Sequence, residues 1–194
     1  MPPSFLFVAI ALRLVGETKY FVAVVRGQAR PNPVSWFCWS LAPLVAFGAQ
    51  ASDGVQPTEW MTLVLAVGPI LVVTAALVRG EHRARVTRFD LVCGGLAITG
   101  LGAWHLTNQL ALVLVLTILA DVVAAVPTML NAHRRPEDEY GPAYLLSAAA
   151  MAVTLLTVDR WDFVDVVLPL YTLAINGVLY GLIKASSTVD LVAA

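Results

Sequence analysis

Apolar positions in this chain come in long blocks separated by short, turn-rich polar segments. The pattern is neither the alternation of a half-buried strand nor the one-sided stripe of a surface helix. The blocks fall at about 4–25, 34–50, 60–78, 89–104, 109–132, 143–158 and 163–184. Most approach the roughly 20 apolar residues that a helix needs to cross about 30 Å of hydrocarbon. The sequence therefore predicts an all-α membrane protein of seven transmembrane helices. Two separators are rich in turn formers: Arg26 to Pro33, and Arg134 to Pro142.

These two separators lie at one offset, and so do other unusual positions. Arg13 and Asp121 are 121 − 13 = 108 residues apart, each near the middle of an apolar block, and the same offset carries Gly68-Pro69 onto Asn176-Gly177. A weak internal repeat of this length points to a duplicated unit. Residues 1–80 form the first three-helix repeat, 81–106 a cytoplasmic loop and glycine-rich linker helix without a counterpart, and 107–194 the second repeat. An odd linker makes the two units parallel, related by an axis along the membrane normal, and places a site between them.

Composition agrees with this class. The chain is 59% hydrophobic and 13% charged with mean hydropathy +0.79, where soluble domains carry roughly 25% charged residues. A net charge of −1 and a pI near 6.3 give no basic face for nucleic acid. Cys38 and Cys93 both fall in apolar blocks and read as packing residues. The first block lacks a basic leader and reads as a span, not a cleaved signal.

Lysine and arginine set the orientation. With the N-terminus outside, Arg26, Arg30, Arg79, Arg83, Arg85, Arg88, Arg134, Arg135 and Lys184 are cytoplasmic, and Arg160 alone is outside. Asp53, Glu59, Asp159 and Asp162 then lie outside, and Trp60, Trp104 and Trp161 fall at the outer ends of their spans as interfacial anchors. The expected location is the bacterial inner (plasma) membrane, with the C-terminus cytoplasmic.

Candidate chemistry concentrates within the spans. Gly68-Pro69 and Asn176-Gly177 would interrupt two helices at matching depth, a pointer to a midplane substrate site, and the amide of Asn176 needs a partner in hydrocarbon. Trp36 and Trp39, three apart on one helix face, would form an aromatic wall, and Phe47, closer to the depth of Gly68, is a further stacking candidate. Arg13 and Asp121 are costly in a span and are expected to face the interior, as a pair across the axis or with Glu17, one turn after Arg13, neutralising it locally. Left unpaired, Asp121 would be a coupling carboxylate for protons. No metal-binding, nucleophile-elbow or phosphate-loop motif is present, and His82, His105 and His133 are scattered over loops and span ends, so neither an enzyme nor a cofactor is expected.

Three spans, a linker span and three spans, with the N-terminus outside and Asn176 in the last span, resemble the SWEET sugar transporters and the wider PQ-loop superfamily. The segment Arg26 to Trp36 also resembles a pattern in uncharacterised bacterial membrane proteins. The resemblance implies two triple-helix bundles, a central cavity opening alternately to either side, and binding by asparagines of the third and seventh helices with aromatic residues. Asn176 matches the seventh-helix asparagine, and Gly68 stands where its third-helix partner would be. The family's hinge prolines are matched by Pro127, Pro142 and Pro33, while Thr18-Lys19 replaces the first-helix Pro-Gln pair. The expected function is facilitative transport of a small polar metabolite, sugar-like or other, by alternating access about a midplane pocket. The alternatives are a proton-coupled carrier using Asp121, or a non-transporting receptor or scaffold whose inner basic loops bind a partner or anionic lipid. The partners expected are the solute and the bilayer, with a homo-oligomer left open.

Overall fold

The computed structural model describes residues 4–51, 59–80, 88, 92, 95, 99, 106, 110–158 and 161–193. The described residues are all-helical. They form α1 (Ser4–Val25), α2 (Pro33–Ala51), α3 (Glu59–Val78), α4 (Leu110–Arg134), a 3-10 turn (Pro136–Asp138), α5 (Gly141–Thr157) and α6 (Phe163–Ala193). The expected linker helix at 89–104 lies almost wholly outside the described residues. So do Asp53, Arg83, Arg85, Asp159, Arg160, His82, His105, Cys93 and Trp104.

Local chemistry explains the helix ends. Gly27 takes φ 72°, the left-handed conformation that glycine adopts without steric cost. The chain then turns back, so that Gln28 N reaches Ala23 O at 2.8 Å and closes α1. Asn32 starts α2, its Oδ1 accepting from Val34 N at 3.0 Å and Ser35 N at 3.4 Å. Pro33 and Pro142 stand in the first turns of α2 and α5, where proline costs no helical hydrogen bond. They initiate helices there, whereas Pro43, Pro69, Pro127 and Pro169 lie inside them.

Two expectations are corrected. The helices α3 and α6 run unbroken through Gly68-Pro69 and Asn176-Gly177, because the turns around one missing donor hold the helix and the Asn176 amide bonds back into it. Nor does the last helix stop at Lys184. It continues to Ala193 because 185–188 contain no glycine or proline, and Ser187 and Thr188 return their hydroxyls to Ile183 O and Lys184 O at 2.7 and 2.8 Å.

The six helices close a ring in the order α1, α3, α2, α4, α6, α5 and back to α1. Exchanging α1, α2 and α3 for α4, α5 and α6 maps this ring onto itself. Within each half the third helix lies between the first and second; the halves meet along the seams α1·α5 and α2·α4. Small residues contribute to the α1·α5 seam and occupy the equivalent positions on α2 and α4. A Cβ at Gly16 would stand 3.2 Å from Ala143 O; at the other seam the positions 108 residues away from Ala143 and Gly16 are Ser35 and Ala124, 1% and 2% exposed. Small side chains let helices approach closely. The connections between first and second helices also touch, Arg30 N donating to Asp138 O at 2.8 Å, and 30 + 108 = 138.

The surface is inverted relative to a water-soluble bundle. Large apolar side chains face outward on every helix, among them Phe7, Phe37, Leu71, Leu119, Leu156 and Val178. Arg13, Glu17, Ser40, Thr128, Ser147 and Asn176 are buried inside. Among the described residues two helices are long and apolar enough to cross a membrane, over Leu114–Arg134 and Phe163–Thr188.

Candidate functional site

All six helices contribute to one cavity inside the ring. Its walls carry Arg13, Glu17 and Tyr20 from α1, Trp36, Trp39 and Pro43 from α2, Leu65 and Pro69 from α3, Thr117 and Asp121 from α4, Tyr144 and Ser147 from α5, and Tyr171, Thr172 and Asn176 from α6. Counted as room for the centres of water-sized spheres, its volume is about 70 Å³. One water needs roughly 10–15 Å³ on that measure, so the space suits a cluster of waters or a solute of a few heavy atoms.

One wall is aromatic. The rings of Tyr20 and Trp36 lie 4.4 Å apart between centroids, Trp36 and Trp39 meet edge to face at 5.4 Å, and Tyr20 meets Tyr144 edge to face at 5.8 Å. Trp39 is fixed from the opposite half, its Nε1 donating to the backbone oxygen of Asp121 at 3.4 Å.

The cavity also holds a charged group. Arg13 and Glu17, 7% and 8% exposed, form an ion pair one helical turn apart, the local pairing of the two readings in the sequence. Asp121 is close enough to Arg13 to feel its charge. No hydrogen-bond partner is found among the described residues for Arg13 Nε, Glu17 Oε2, Asp121 Oδ1, Trp36 Nε1 or Tyr171 OH, all buried. Buried polar atoms are normally satisfied, so five such atoms around one cavity mark it as a place for polar contacts.

The other expected site residues divide by the face of the helix they occupy. Asn176 lines the cavity at 9% exposure, its Nδ2 donating to Thr172 O at 2.8 Å, which leaves a second donor and the amide oxygen for other partners. Pro69 also lines it, but Gly68 does not, lying behind the Glu17 side chain. Gly177 is exposed on the outer face of α6. In each pair one residue lines the cavity and the other does not. Phe47 is directed away from the cavity and packs on Trp60 at 6.4 Å between centroids. Pro127 is half-buried in α4 and off the cavity wall.

A second polar cluster was not read from the sequence. Glu139, after the 3-10 turn, is 6% exposed. Its Oε2 accepts from Tyr20 OH and Tyr144 OH, both at 2.7 Å, and Asn131 Nδ2 donates to its Oε1 at 3.5 Å. Burial raises its pKa to about 7 against the opposing effect of these hydrogen bonds, with the neighbouring Asp138 adding to the rise. Because Tyr20 and Tyr144 also line the cavity, Glu139 ties α1 to the second half at that end of it. The offset held a usable signal: 36 + 108 = 144, so the aromatic wall residue Trp36 has an aromatic counterpart.

Compared with protein-family models, curated proteins and solved structures, the chain matches none of them.

Proposed function

We propose that the protein is a facilitative carrier of a small polar metabolite, embedded in a membrane as seven helices: two parallel three-helix units and the linker helix between them. The single observation that carries this reading is a cavity walled by all six described helices, with buried charged and hydrogen-bonding groups contributed from both halves. The outward apolar faces support a lipid surround. The distribution of lysine and arginine supports an outside N-terminus, and the closed, exchangeable ring supports two units that rock about their seams. The same features favour the SWEET and PQ-loop resemblance as a description of the architecture.

In this mechanism Asn176 and the groups around Arg13 bind the solute, and the aromatic wall contacts its apolar side. Opening at the Glu139 end requires the tyrosine bonds there to part. The carrier reading is tested by screening purified protein for metabolites that raise its melting temperature, then repeating the screen with Asn176→Ala. A saturable rise that this variant loses, without losing stability itself, is the expected result. A variant that melts lower yet binds as before would assign Asn176 to packing and remove it from the site.

A second reading, proton coupling, is favoured by one observation, the buried Asp121 Oδ1 without a hydrogen-bond partner among the described residues. It predicts that solute uptake into vesicles carries protons inward and that Asp121→Asn uncouples the two.

A further inference from the structure

Taking the cavity as a carrier's binding site, we propose that its solute is a small organic ammonium ion, held against Asp121 and the aromatic wall. The charge count of the walls points this way. Among the described residues the walls carry one guanidinium, Arg13, and two carboxylates, Glu17 and Asp121. Arg13 is already joined to Glu17 on its own helix, which leaves Asp121 with a buried oxygen that lacks a hydrogen-bond donor among the described residues. A carboxylate removed from water is costly unless a cation or several donors compensate it. An anionic solute would add to the negative charge, and a neutral polyol would leave it uncompensated. An ammonium group neutralises it and supplies the donors.

The surroundings of Asp121 fit the same ligand. Trp39 is held beside it by the Nε1 bond to the Asp121 carbonyl, offering an indole close to where the cation would sit. Tyr171 lies within electrostatic reach of Asp121, and its hydroxyl, buried and without a hydrogen-bond partner among the described residues, can accept from an ammonium N–H. The amide oxygen of Asn176 is another acceptor on the same helix as Tyr171. The cavity volume restricts the ion to a few heavy atoms.

A series of two-carbon hydroxyl compounds tests the charge: ethanolamine, ethylene glycol and glycolate are cationic, neutral and anionic at neutral pH. The expected result for the full-length protein in detergent, at matched ionic strength, is a saturable rise in melting temperature with ethanolamine and none with the other two. Asp121→Asn should weaken the apparent affinity for ethanolamine by about tenfold or more, and Asp162→Asn, at an exposed position outside the cavity, should leave it unchanged. No response to ethanolamine, an equal response to ethylene glycol, or full retention in Asp121→Asn would each overturn the proposal. Should Asp121→Asn fail to fold, the wild-type comparison across the series still decides. A saturable, Asn176-dependent response to glycol or glycolate alone would leave the carrier reading standing and remove the ammonium ion from it.

Discussion

The side chain of Glu17 lies against the bare backbone of Gly68: a Cβ at position 68 would stand 2.5 Å from Glu17 Cδ and 2.6 Å from its Oε2. A side chain there would displace the Glu17 carboxylate from its place beside Arg13. Gly68→Ala should therefore lower the melting temperature of the wild type. In a Glu17→Ala background the same change should raise it, since alanine is favoured over glycine in a helix by about 1 kcal/mol. Equal losses in both backgrounds would show that something other than Glu17 demands the glycine.

The ion pair within α1 and the charge across the cavity should separate energetically. Breaking a buried pair from one side costs about 3–5 kcal/mol, and Arg13 is joined to Glu17 by a direct contact but to Asp121 only through space. A double-mutant cycle between Arg13→Gln and Glu17→Gln should give a larger coupling energy than one between Arg13→Gln and Asp121→Asn. The reverse order would restore the cross-cavity pair as the main partner of Arg13.

Glu139 should make stability depend on pH. Its pKa rises from 4.5 to about 7 in the folded protein, so between those values the folded state holds a proton that the unfolded state has lost. The contribution is fully present below the unfolded pKa and disappears as pH rises through the folded one. Wild-type stability should fall across that window by at most about 1.4 kcal/mol per pH unit. Glu139→Gln keeps an acceptor for Tyr20 and Tyr144 without a titrating group, and its melting temperature should lack this component. Identical pH profiles for the two proteins would rule the group out as a source of the dependence.

Orientation is testable at two exposed positions on opposite sides of the proposed bilayer. With Cys38 and Cys93 replaced by serine, a cysteine at Asp162 should react with an impermeant thiol reagent added to intact cells. One at Glu137 should react only after the cells are opened. Labelling of the Glu137 site alone would invert the molecule.

The ends of α1 and α3 were legible because caps and apolar blocks are local in sequence. The inward placement of Arg13, Asp121 and Asn176 was legible for another reason: polar groups in apolar blocks have few tolerable environments. The Glu139 cluster was not legible. Its carboxylate sits in an ordinary polar connection, and one of its donors, Tyr20, is 119 residues away, a distance that no helical period encodes. Phe47 and Gly177 were assigned to the site by depth, which the sequence gives, while the direction each side faces depends on how neighbouring helices rotate against one another. Helix continuity through Pro69 was missed because a proline's lost donor is visible in sequence and the surrounding turns that tolerate it are not.

The exchange of halves has a consequence for how such a site can arise. Positions 108 apart occupy corresponding places in the ring, yet several hold unlike residues: Arg13 and Asp121, Glu17 and Ala125, Tyr20 and Thr128, Gly68 and Asn176. Had the bundle been assembled from two identical half-chains, symmetry would have set arginine against arginine or aspartate against aspartate on opposite walls, and like charges sharing a buried site repel. A dimer cannot hold one cation and one anion at equivalent places. A single chain that contains both halves lets them differ, and the lopsided chemistry of this cavity requires two halves of unlike sequence.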